Sequence, residues 1–109
     1  MFRISHYLHA LRTPAAATGP ARRPPGPVVI WNLVRRCNLA CRHCYSISAD
    51  IDFPGELTTA EVLATLDDLK RFRVPALILS GGEPLLRPDL YEISAYAKAL
   101  GLYVGLSTN

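Results

Sequence analysis

Cys37, Cys41 and Cys44 stand four and then three residues apart in the stretch RRCNLACRHCYS, Arg35 to Ser46, with Arg35, Arg36 and Arg42 around them. Three chemistries suit clustered thiols. On a helix, positions i, i+4 and i+7 share one face, where cysteine can serve as a small hydrophobe; the interleaved Arg35, Arg36, Asn38, Arg42 and His43 argue against a buried face. A structural zinc ion needs a fourth ligand, His43 or His9 being the candidates. His43 adjoins Cys44 and is poorly placed to complete a tetrahedron with it, and no second Cys or His pair follows at zinc-finger spacing. An iron–sulfur cluster takes thiolates, and three of them on four irons leave one iron open. A cluster that only carries electrons calls for four protein ligands, whereas one that grips a substrate calls for three. Arg35, Arg36 and Arg42 are then expected to favour the thiolates and offset the cluster's negative charge.

The elements that must position this loop read as alternating strands and helices. VVIWNLV, Val28 to Val34, is the near-continuous apolar run of a strand buried on both faces, and the cysteine loop follows it directly. Thr58 and Glu61 form a capping signature ahead of Val62, Leu63, Leu66, Leu69 and Phe72, which recur at helical spacing. ALILS, Ala76 to Ser80, predicts a second strand. A second helix opens at Pro88 or Asp89, carries Leu90, Ile93, Ala97 and Leu100, and closes at Gly101. Leu102 to Ser107 makes a third strand. This order predicts an α/β fold with a parallel sheet, whose C-terminal edge is where such proteins place ligand sites.

Residues 1–27 are expected to be a separate basic, proline-rich arm and linker, and the fold to occupy 28–109. Phe2, Ile4, Tyr7, Leu8 and Leu11 suggest a short amphipathic helix bearing His6 and His9, which is read as a docking arm or, less simply, as a transit peptide. Five of the nine prolines fall in 13–27, an extended linker. The net charge of +3 is local: residues 1–36 hold six arginines and no acid, and the remainder holds six basic and nine acidic residues. That distribution argues against nucleic-acid binding by the folded body. No apolar run is long enough to span a bilayer and no signal-peptide core opens the chain, so a soluble cytoplasmic protein with reduced thiols is expected. Three strands and two helices cannot cover both faces of a parallel sheet, and a complete β/α barrel takes about 250 residues. The chain therefore reads as the first part of a longer domain, truncated after the third strand.

CNLACRHC, together with GGEP (Gly81 to Pro84) directly after the second strand, resembles the paired motifs of the radical S-adenosylmethionine (SAM) enzymes. Only His43, at a position that is often aromatic, departs mildly from their pattern. The resemblance implies the N-terminal portion of a partial parallel (β/α) barrel. It also implies a [4Fe–4S] cluster on Cys37, Cys41 and Cys44, with SAM chelating the fourth iron. Adenine would lie near the backbone of His43 and Cys44, and Gly81, Gly82 and Glu83 would take the methionine amino group. Ser107, Thr108 and Asn109, ending the third strand on the same rim, are expected to reach the SAM carboxylate. Reductive cleavage of SAM to a 5′-deoxyadenosyl radical is the implied activity, fed by an electron donor such as a flavodoxin or ferredoxin.

Over nearly the whole chain the resemblance narrows to the branch that makes haem d1. That implies a tetrapyrrole substrate, derived from sirohaem, whose propionate side chains are removed. The branch carries further cysteines for an auxiliary cluster in its C-terminal region, none of which lies in these residues, and the fragment alone is expected to be inactive. Another haem- or peptide-modifying radical SAM enzyme and a non-catalytic zinc module are the alternatives. Tyr45 and the 45–57 loop border the site, with Asp50, Asp52 and Glu56 read as solvated.

Overall fold

A computed structural model describes residues 26–109. The expected N-terminal helix, His6, His9 and linker residues 13–25 lie outside the described residues. The elements run β1 (Val29–Val34), α1 (Thr59–Arg71), β2 (Ala76–Gly81), a 3-10 turn (Pro84–Leu86), α2 (Leu90–Ala99) and β3 (Tyr103–Leu106). The strands form one parallel sheet in the order β1-β2-β3, with Val29 opposite Leu77 and Leu77 opposite Val104. Strand, helix, strand, helix, strand is thus the α/β pattern that the sequence predicts.

The core is one cluster in which Val62 and Leu66 of α1 and Leu90, Ile93 and Ala97 of α2 close over Leu33, Leu77, Leu79 and Leu102. Burying each such side chain contributes about 1.5–3 kcal/mol. Both helices cover the same face of the sheet. β1 alternates, and Ile30 on the face these helices leave uncovered is 68% exposed, in keeping with three strands and two helices being too few to cover both faces. Successive crossovers in one direction, between strands laid side by side in chain order, keep their helices together. Phe72 is misplaced in the helical stripe. It is the C-cap residue of α1 and is exposed.

Local chemistry fixes the ends of the helices. The Thr58 hydroxyl accepts from the Glu61 amide at 3.4 Å while Glu61 accepts from the Thr58 amide at 2.8 Å, a complete capping box. At the far end of α2, Gly101 adopts φ +83°, with its amide on Lys98 O and that of Leu102 on Ala97 O. This is the Schellman closure that a glycine permits. The same closure ends α1, where the amides of Arg73 and Val74 donate to Lys70 O and Leu69 O, but Arg73 takes the glycine position at φ +61°.

Candidate functional site

The residues that follow β1, β2 and β3 meet at the C-terminal edge of the sheet. There Cys37, Cys41, Cys44, His43, Gly81, Gly82, Ser107 and Asn109 line one cavity of about 210 Å³. With Thr108, which also lines it, these are nine of the ten site residues named from the sequence; Glu83 does not line it. A larger cleft, about 670 Å³, lies between the 52–59 segment and the start of α2 and holds none of the ten.

The cysteine loop is rooted at both ends by backbone. Arg36 pairs with Ala49 in an isolated parallel bridge, the Cys37 amide donates to Ala49 O at 3.0 Å, and the Cys44 amide donates to Cys41 O at 3.2 Å. All three thiols are free of disulfides; Cys37 is buried and the other two exposed. Cys44 Sγ lies 3.2 Å from Ser46 O and 3.6 Å from Ser48 Oγ. Among the described residues no three His, Cys, Asp or Glu side chains are drawn into a ready metal cage. The donor set facing the cavity is nonetheless thiol-rich, with three sulfurs against the single imidazole of His43. Three thiolates fit a cluster with one open iron, whereas a Cys3His zinc site would need His43, which adjoins Cys44 and is poorly placed to complete a tetrahedron.

The GGEP turn grips the root of the loop. β1 and β2 slip register between Asn32 and Val34, which brings the Gly82 amide 2.7 Å from Val34 O and the Glu83 amide 2.8 Å from Arg36 O. A Cβ on Gly81, whose φ is +124°, would stand 2.1 Å from Val34 O, and one on Gly82 2.2 Å from Arg36 O. Both glycines are therefore required by the close approach of two backbones.

Glu83 is buried, and it is met by the Leu85 amide at 2.9 Å, the Thr108 hydroxyl at 2.8 and 2.9 Å from its two oxygens, and the Asn109 amide at 3.3 Å. Burial pushes its carboxyl up, and the hydrogen bonds from Leu85, Thr108 and Asn109 more than offset this, so its pKa lies below the ordinary carboxylate value. Thr108 is thus engaged with Glu83. Asn109 Nδ2 points towards Cys41 Sγ at 4.0 Å, and the Ser107 amide donates to Leu79 O.

Arg35 and Arg36 make their contacts away from the thiols. Arg36 pairs with Asp50 at 3.0 Å and Asp52 at 3.1 Å, its pKa raised chiefly by the hydrogen bond to Asp50. Arg35 stacks 4.3 Å from the Phe53 ring centroid, and its amide donates to Glu56. Asp50, Asp52 and Glu56 are exposed, in keeping with the solvated reading, and in addition contact Arg35 and Arg36 at the end of β1. Polar residues at the strand ends were missed. Ser80, which lines the cavity, and Asn32 sit opposite each other in β2 and β1, and the Tyr45 hydroxyl meets both. Their only mark in the sequence is a polar interruption of apolar strands.

A parallel α/β sheet with a thiol loop after its first strand and a glycine turn after its second defines a class of proteins that build cofactor sites on the sheet's C-terminal edge. The profile of the radical SAM superfamily matches residues 31–109, and the chain belongs to that superfamily. It is 62% identical over 111 residues to a pre-heme d1 synthase of Dinoroseobacter shibae, covering 100% of this chain and 27% of that protein. It is 52% identical over 83 residues to an Fe-coproporphyrin III synthase of Methanosarcina barkeri, covering 76% and 21%. Against a mycofactocin maturase of Mycobacterium ulcerans the identity is 39% over 106 residues, covering 97% and 25%. The chain spans about a quarter of the length of these relatives. No solved structure matches it at a significant level. No helix among the described residues is long and apolar enough to cross a membrane.

Proposed function

We propose that this chain carries the cofactor-binding part of a radical SAM enzyme of haem d1 biosynthesis. In that enzyme Cys37, Cys41 and Cys44 hold three irons of a [4Fe–4S] cluster, and SAM occupies the same cavity. The observation that carries the reading is the convergence of nine site residues from three separate strand ends on that one cavity. Haem substrates are supported by the names of the relatives at 62% and 52% identity.

When bound, the cluster and SAM supply a reductively generated 5′-deoxyadenosyl radical that abstracts hydrogen from the substrate, here a propionate side chain of a sirohaem-derived tetrapyrrole. The protein's share is binding and orientation. Gly81, Gly82 and Glu83 form a rigid turn that receives the methionine amino group, with the charge of Glu83 favouring an ammonium. The backbone at His43 and Cys44 borders the adenine, and Ser107 and Asn109 offer polar groups to the SAM carboxylate. A flavodoxin or ferredoxin serves as the electron donor, and the reaction proceeds in the cytoplasm.

The test is iron content after anaerobic reconstitution. Changing any one of Cys37, Cys41 and Cys44 to Ala abolishes a stable four-iron cluster, whereas His43→Ala keeps the iron. Zinc in the parent protein, with metal lost in His43→Ala, would overturn the reading.

A further inference from the structure

Tyr45 directly follows Cys44, and its phenol reaches out of the loop to two strands. The hydroxyl lies 2.9 Å from Ser80 Oγ and donates to Asn32 Oδ1 at 3.3 Å. Asn32 and Ser80 are register partners in β1 and β2, each a polar residue in an otherwise apolar stretch of strand. Ser80 is only 4% exposed. A buried hydroxyl is costly without a hydrogen-bond partner, and Tyr45 is the partner of Ser80.

The 38–48 segment contains no helix or strand of its own. Its roots are secured by backbone at Arg36, Cys37 and Ala49. Within it, among the described residues, Tyr45 makes the only side-chain hydrogen bonds to a strand. The phenol ring is otherwise largely exposed, so its position is not explained by core packing.

We propose that Tyr45 is a positioning residue for the thiols: docked on Ser80 and Asn32, it fixes the Cys44 end of the loop against the sheet and so holds the three cysteines where a cluster can bridge them. This rests on the cluster reading given above. The backbone tether at Cys37 secures one end of the triplet, and the Tyr45 tether secures the other. Losing the hydroxyl frees the Cys44 end without removing any ligand.

The experiment uses the full-length protein, reconstituted anaerobically, and follows iron release to an excess of a ferrous chelator. Tyr45→Phe keeps the ring and the starting iron content but releases iron on the order of tenfold faster, as expected for the loss of one net hydrogen bond. Ser80→Ala, which leaves the bond to Asn32, has the same effect or a smaller one, and the double variant is no faster than Tyr45→Phe, because Ser80 acts on the loop only through Tyr45. The melting temperature of the cluster-free protein changes little. Wild-type release rates in Tyr45→Phe would overturn the inference while leaving the cluster reading intact. So would effects that multiply in the double variant, or a lowered melting temperature with unchanged iron release. A parent protein that takes up no iron–sulfur cluster would instead overturn the reading on which the inference rests.

Discussion

A Cβ added to Gly82 would meet the Arg36 carbonyl oxygen at 2.2 Å and that of Arg35 at 2.7 Å, both of them backbone atoms at the root of the cysteine loop. Gly82→Ala therefore separates the turn from the loop or distorts both, at a cost on the order of 1–3 kcal/mol. Chemical denaturation measures this, and reconstituted iron should fall with it. Glu83 adds a pH dependence. Its folded pKa is depressed, since the amide and hydroxyl donors outweigh burial, so it contributes stability that is present above the unfolded value of about 4.3 and lost as pH falls through the folded value. Thr108→Val removes one donor, raises that folded value and moves the acid unfolding limb to higher pH. Thr108→Ser preserves the donor and leaves the limb in place.

Elements were legible in the sequence wherever the signal was local. The capping pair Thr58 and Glu61, the glycine closing α2 and the apolar strands are each set by neighbours along the chain, and each appears within a residue or two of where it was expected. The cysteine triplet and GGEP were legible for the same reason. What could not be read depends on register and loop path: Asn32 opposite Ser80, Arg36 on Asp50 and Asp52, and Thr108 on Glu83 all join residues far apart in sequence. The second Schellman closure carries a prediction at this scale. Arg73 holds φ +61°, a conformation that costs a residue with a Cβ about 1–2 kcal/mol. Arg73→Gly relieves that cost, partly offset by the entropy of the freer unfolded chain, and is expected to raise the unfolding midpoint. A lowered midpoint would mean that the Arg73 side chain contributes more than the strain it bears.

At the scale of the described residues, three strand ends deliver the cysteine loop, the glycine turn and residues Ser107–Asn109 after β3 to one rim, while the two helices pack on a single face of the sheet. The fold thus serves to hold short irregular segments in register. The central claim proposed above is that Cys37, Cys41 and Cys44 hold a cluster with one iron available to SAM. EPR of the dithionite-reduced, reconstituted full-length protein tests it most directly, recorded with and without SAM. The account predicts a changed signal on adding SAM, with 5′-deoxyadenosine released. Glu83→Ala should reach the same change only at higher SAM, because it removes the buried negative charge that anchors Thr108 and Asn109 beside the cavity. A spectrum that SAM leaves untouched, with no 5′-deoxyadenosine formed, would contradict it.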